Sequence, residues 1–161
     1  MICAGYSCIL PERFSYDNDF FKEDKYIDDA KGLKCDGDTL LPITPENGSI
    51  TINGGLLTFD VGGEVSRFIR CSGDVIVNGG TINGVLNATP FYDSEIDDIS
   101  YQCIVKADGM IKMLGGNHDL TISEVSYGGR GLVADNSIIF DGGVKLNLNI
   151  ACSPYYKNYD E

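Results

Sequence analysis

Four times along the chain, a short run of alternating apolar and polar residues ends on a Gly-Gly pair. The pairs fall at 54–55, 79–80, 115–116 and 142–143, at intervals of 25, 36 and 27 residues. The runs read Ser49-Ile50-Thr51-Ile52-Asn53, Asp74-Val75-Ile76-Val77-Asn78, Met110-Ile111-Lys112-Met113-Leu114 and Ser137-Ile138-Ile139-Phe140-Asp141. A period of two is the signature of a strand with one buried face. Ile50, Val75, Ile111 and Ile138 share one inward column, and Ile52, Val77, Met113 and Phe140 share another. Thr51, Ile76, Lys112 and Ile139 should point outward. Each run is entered through Gly48, Gly73, Gly109 or Asn136, residue types that tolerate positive φ.

A second strand precedes each run: Gly32 to Cys35, Phe68 to Cys71, Ile104 to Ala107 and Gly131 to Ala134. Each is closed by a turn pair, Asp36-Gly37, Ser72-Gly73, Asp108-Gly109 or Asp135-Asn136. A third strand follows each Gly-Gly: Leu56 to Val61, Thr81 to Leu86, Leu120 to Val125 and Val144 to Ile150. Three strands in fixed order, repeated, describe stacked units rather than a meander of hairpins. The expectation is an all-β, right-handed parallel β-helix of about four coils, with three short strands each. Cys35, Cys71, Ala107 and Ala134 then sit at one tight corner where only small side chains fit. Residues 30–150 hold the repeats, 1–29 form an N-terminal segment with an acidic loop, and 151–161 resemble a truncated inter-coil loop. The partial repeats at both ends suggest a piece of a longer stack, or ends covered by the tails or a partner.

Composition agrees with many turns and short strands: 161 residues carry twenty glycines and no tryptophan. The net charge of −12 argues against nucleic acid and anionic membranes as partners. No apolar run is long enough to span a membrane, and the first residues lack the basic start and apolar core of a signal peptide. Cysteines at 3, 8, 35, 71, 103 and 152 fit no zinc spacing. Cys35 and Cys71 fall in one column of neighbouring coils, where in-register side chains stay too far apart for a disulfide. Stacked thiols acting as small hydrophobes are expected there, while Cys3 and Cys8 could close a local loop.

The segments Ala30-Lys31-Gly32-Leu33-Lys34-Cys35-Asp36-Gly37 and Gly48-Ser49-Ile50-Thr51-Ile52-Asn53-Gly54-Gly55, with the Tyr92-Asp93-Ser94 loop, resemble a family of bacterial carbohydrate-binding domains. The likeness covers roughly residues 16–150 and departs from the pattern at Met113-Leu114, Asn136 and the cysteines. It implies a right-handed parallel β-helix on a secreted or surface-attached protein. It also implies binding of acidic plant polysaccharide or cellulose, with calcium on the helix.

The residues offer matching chemistry. Lys34, Arg70 and Lys106 occupy one outward column, and Lys31, Arg67 and Arg130 another, with Cys103 between the two arginines. Six of the twelve Lys and Arg residues thus line one face. Steps of ~4.8 Å could follow the carboxylates of a sugar polymer, and Arg forks grip carboxylates bidentately. The plainer alternative is that these cations merely offset the acidic loops before this strand. Tyr16 and Tyr92, with Phe91 and Tyr155, can stack on sugar rings or pack the loops onto the coil. Asp17, Asp93, Asp97 and Asp98 are candidate calcium ligands, although their spacing matches no EF-hand and solvated loop acids would read the same. Enzymatic activity has little support: the one histidine, His118, stands beside Asp119 without a nucleophile motif and is expected to be exposed. The expected function is a noncatalytic module for uronate-containing polysaccharide. The alternatives are a structural or adhesive β-helix that associates end to end, as in a surface adhesin or phage fibre, and a polysaccharide lyase.

Overall fold

The computed structural model describes residues 2–4, 8–9, 31–36, 48–123 and 128–153, all in strands, turns and connections, with no helix among them. In chain order the strands are β1 (Ile2–Ala4), β2 (Cys8–Ile9), β3 (Lys31–Asp36), β4 (Ile50–Ile52), β5 (Leu56–Glu64), β6 (Arg67–Cys71), β7 (Val75–Val77) and β8 (Thr81–Thr89). They continue as β9 (Phe91–Asp93), β10 (Asp98–Ser100), β11 (Cys103–Ala107), β12 (Ile111–Met113), β13 (Asn117–Ile122), β14 (Arg130–Ala134), β15 (Ile138–Phe140) and β16 (Lys145–Ile150).

These strands form three parallel sheets, with one antiparallel hairpin beside them. The first sheet runs β1-β3-β6-β11-β14, the second β15-β12-β7-β4-β2, and the third β16-β13-β8-β5. From β3 onward the chain visits first, second and third sheet in rotation, and each visit pairs in parallel with the previous one. The inward columns fall where the alternation puts them: Ile50, Val75, Ile111 and Ile138 are in register, and so are Ile52, Val77, Met113 and Phe140. The corner column Cys35, Cys71, Ala107, Ala134 is also in register, and Cys71 and Ala107 are fully buried. Phe59 of the third sheet stacks on Phe68 of the first, with ring centroids 5.0 Å apart, and joins the two across the core.

Several sequence expectations are corrected. The third-sheet strand of the third repeat is Asn117–Ile122, not Leu120 to Val125, because Asn117 and Asp119 face outward and His118 faces inward. His118 is not exposed: it is 1% accessible and shares a column with Leu57, Ile82 and Leu146. β5 and β8 run three residues past the expected ends, to Glu64 and Thr89. The N-terminal segment contributes strands: β1 extends the first sheet and β2 the second. Cys3 lies in register with Cys35, while Cys8 lies in register with Ile50 in another sheet.

The reason for the turn glycines also differs from expectation. Gly48 has φ 79°, but Gly73, Gly109 and Asn136 are not in the left-handed region. At Gly109 a Cβ would fall against Asp74 Oδ1 and 2.9 Å from the Gly73 carbonyl carbon, so backbone stacked on backbone leaves no room for a side chain. The second Gly of each pair has a positive φ, as at Gly80 with φ 90°, and in the fourth pair Gly142 has one as well.

Candidate functional site

The first sheet brings the predicted cations into two registered columns. Register pairs Lys31 with Arg67, Arg67 with Cys103, and Cys103 with Arg130. It also pairs Lys34 with Arg70 and Arg70 with Lys106, with Val133 next in line. Two surface columns three residues apart cannot both belong to a strand of strict period two. The strand breaks that period: Phe68 and Ile69 are both buried, as are Ile104 and Val105, and the pairing skips Phe68 and Ile104. The resulting kink turns Phe68 into the core against Phe59 and leaves Arg67 and Arg70 both at the surface.

The Lys34 column is laced to aspartates. Arg70 Nη2 donates to Asp108 Oδ2 at 2.6 Å, and another of its nitrogens donates to the Cys71 carbonyl. Lys106 Nζ lies 3.4 Å from Asp108 Oδ1 and donates to Asp135 Oδ1 one strand further on. Arg70, Asp108, Lys106 and Asp135 therefore form a zigzag of alternating charge across β6, β11 and β14. The carboxylates come from the turn that closes each strand, not from the acidic loops that precede it. All four side chains keep solvent contact, so each pair contributes only about 0–1 kcal/mol.

The Arg67 column is organised differently. Cys103 breaks the run of cations, and Tyr101 fills the gap. The Arg130 guanidinium carbon stands 3.9 Å from the centre of the Tyr101 ring, and Arg67 Nη2 donates to the Tyr101 carbonyl at 3.4 Å. Arg130 is exposed and Arg67 half-buried. Burial raises the pKa of the Cys103 thiol, and the neighbouring Arg67, which also hydrogen-bonds it, opposes that rise. The thiol stays protonated at neutral pH and packs as a small hydrophobe.

Tyr101 arrives on an insertion. The stretch expected as a long acidic loop is an antiparallel hairpin, β9 with β10, pairing Phe91 with Ser100, Tyr92 with Ile99 and Asp93 with Asp98. Buried Gln102 anchors its base by donating from Nε2 to the Ala88 carbonyl at 3.0 Å. At the tip Tyr92 Oη donates to Asp97 Oδ1 at 2.9 Å. Asp93 Oδ1 accepts the Glu95 N–H, and Asp98 Oδ1 accepts its neighbour's N–H at Ile99. The Asp93, Asp97 and Asp98 carboxylates thus close the turn. Among the described residues no group of three or more His, Cys, Asp or Glu side chains is placed to hold a metal ion. Tyr16 and Asp17 lie outside the described residues, and Lys31 and Lys34 are placed by register alone.

His118, set apart from this face, is held inside the stack. Its Nδ1 accepts the Ile82 N–H at 3.2 Å and its Nε2 donates to the Gly115 carbonyl at 3.0 Å. Burial lowers its pKa, with the Gly115 hydrogen bond acting the other way. A buried imidazole with both nitrogens engaged is a structural group.

No family model, no curated protein and no solved structure matches this chain.

Proposed function

We propose that the chain is a right-handed parallel β-helix of about four three-strand coils that works as a noncatalytic module for acidic, uronate-containing polysaccharide. The observation that carries this reading is one of charge placement. On a chain of net charge −12, backbone register brings Lys31, Lys34, Arg67, Arg70, Lys106 and Arg130 into two columns of one sheet. Among the described residues, the turn carboxylates that pair with these columns are Asp108 and Asp135, and they pair with Arg70 and Lys106. Charge complementarity selects an anionic partner. The even step of a parallel ladder, ~4.8 Å per strand, suits a partner that repeats its charge along a line. An acidic polysaccharide meets both conditions, and a module acting on one works secreted or at a cell surface.

Were calcium to take part, Asp93, Asp97 and Asp98, with Asp17 outside the described residues, are the carboxylates that would hold it, and it would supply positive charge toward an acidic polymer. Asp93, Asp97 and Asp98 would have to leave their present hydrogen bonds to hold it. The test is titration of the full chain with polygalacturonate, with neutral glucan as control, in calcium and in chelator. Saturable binding that weakens with added salt is expected. Absence of binding to any acidic glycan in either condition overturns the proposal.

A structural or adhesive role is the second reading, and one observation favours it. Ile138, Ile139 and Phe140 of β15 and Ile150 of β16 are each at least 39% exposed on edge strands. A lyase is the third, and release of unsaturated product from pectate would establish it.

A further inference from the structure

We infer that the last strands of the three sheets, β14, β15 and β16, are the contact surface of a two-fold symmetric dimer, in which two copies of this chain meet end to end. The inference stands apart from what the cation columns bind. It begins with a change of burial at one end of the stack. Ile111 is 1% exposed, whereas Ile138, its register partner in β15, is 39% exposed. Met113 is 2% exposed and its partner Phe140 52%. Ile122 is 0% exposed and its partner Ile150 44%. Leu132, Leu146 and Leu148 at the same level are only partly buried. The columns that form the core thus run out into solvent at this end.

The first levels of the stack are closed. Leu33, Ile50, Ile52, Leu57 and Phe59 are each at most 2% exposed. An open fibre needs two unlike faces that fit each other head to tail, whereas one self-complementary face closes against its own copy about a two-fold axis. The backbone asks for the same kind of partner. Among the described residues β14, β15 and β16 each end a sheet, and an edge strand offers its outer N–H and C=O groups to another strand.

Charge favours a second copy at this end. The net charge of −12 opposes self-association over the chain as a whole. Residues 128–153, however, carry two cations, Arg130 and Lys145, and two carboxylates, Asp135 and Asp141. This level is neutral, so two copies meet there without net repulsion between the facing surfaces.

The order of residues also suits the symmetry. An axis through Ile139 pairs β15 antiparallel with itself, and β14 with β16 of the other copy. Equal spacing from Ile139 sets Ile138 opposite Phe140, Ala134 opposite Val144 and Leu132 opposite Leu146. Ile138 and Phe140 end inward columns. Leu132 continues the column of Leu33, Ile69 and Val105, and Leu146 that of Leu57 and Ile82. Inward positions therefore meet inward positions, and the core runs from one copy into the other.

The experiment is sedimentation velocity of the full chain over a wide range of protein concentration, on the wild type, Ile138→Lys, Phe140→Lys and Ile96→Lys. Ile96, 70% exposed between β9 and β10, is the control. The wild type should pass from monomer to dimer as concentration rises and stop there. Symmetry places each substitution in the contact twice, so Ile138→Lys and Phe140→Lys should each weaken dimerisation by at least about tenfold, with the fold checked by the unfolding midpoint. Ile96→Lys should dimerise as the wild type does. Ile139→Cys places a thiol on the axis opposite its own copy. Antiparallel partners stand ~4.5–5.5 Å apart between Cα atoms, which suits a disulfide. Mild oxidation should link Ile139→Cys into a dimer and leave Ile96→Cys and the wild type largely unlinked. If a lysine variant loses its fold, this crosslink decides alone. A wild type that stays monomeric at every concentration overturns the inference, whatever else covers this end. Growth past the dimer overturns it as well, since it marks head-to-tail stacking. So does a dimer that both lysine variants form as tightly as the wild type, or one that Ile139→Cys does not link.

Discussion

Lowering the pH from about 7 to about 5.5 should destabilise this protein through a single buried group, His118. Its imidazole is 1% accessible, accepts the Ile82 N–H on Nδ1 and donates to the Gly115 carbonyl from Nε2. Protonation places a second proton on Nδ1, against the Ile82 N–H, in a core lined by aliphatic side chains. Burial holds the folded pKa below the ordinary histidine value. The unfolded chain therefore binds the proton more readily than the folded one. Stability rises with pH wherever the unfolded state holds more protons. The contribution of His118 is thus complete above the unfolded pKa and is lost as pH falls below it, down to the folded pKa. One proton limits the slope to about 1.4 kcal/mol per pH unit. The chain has no other histidine, so the window from about pH 7 to about 5.5, above most carboxylate titrations, reports on this residue alone. Urea unfolding across that window should show falling midpoints in the wild type. His118→Leu, which continues the column of Leu57 and Leu146, should show flat ones. A flat wild-type profile, or an equal slope in His118→Leu, would refute the reasoning.

Two further substitutions probe the stack. Phe59→Ala should cost about 3–5 kcal/mol, since it leaves a void beneath Phe68 where first and third sheets meet; a loss under about 1 kcal/mol in denaturant unfolding would show that the stacked pair is dispensable. Gly109→Ala should destabilise by about 1–3 kcal/mol, because its Cβ meets backbone and an Asp74 carboxylate already bonded to the Met110 N–H, and the thermal midpoint checks it.

The columns were legible in the sequence because burial and register leave a period of two, and because one corner admits only Cys or Ala. The same reasoning placed the six cations in two files. It missed the features set by tertiary contact. β1 and β2, of three and two residues, are too short to carry a period. His118 in an inward position reads as polar until Ile82 and Gly115 supply partners for both nitrogens. Tyr101 gave one signal, an aromatic two residues before the only gap in the cation column. The pairing of Arg70 and Lys106 with turn aspartates was also within reach. Asp108 and Asp135 end the strands that carry Lys106 and Val133, one step across from Arg70 and Lys106. The kink at Phe68 had no separate signal, since two adjacent apolar residues do not say which of them breaks the alternation.

The hairpin that carries Tyr101 has a thermodynamic consequence for how this chain tolerates change. It lengthens one interval between equivalent positions from 25 to 36 residues while the ladder on either side keeps its register. Chain-closure entropy grows only with the logarithm of length, so the longer excursion costs about 0.3 kcal/mol more than the shorter one. An excursion that cheap can be exchanged without disturbing the strands that flank it. Binding character on this face can therefore drift with the inserted segment, while the stack beneath it stays under the separate constraint of its buried columns.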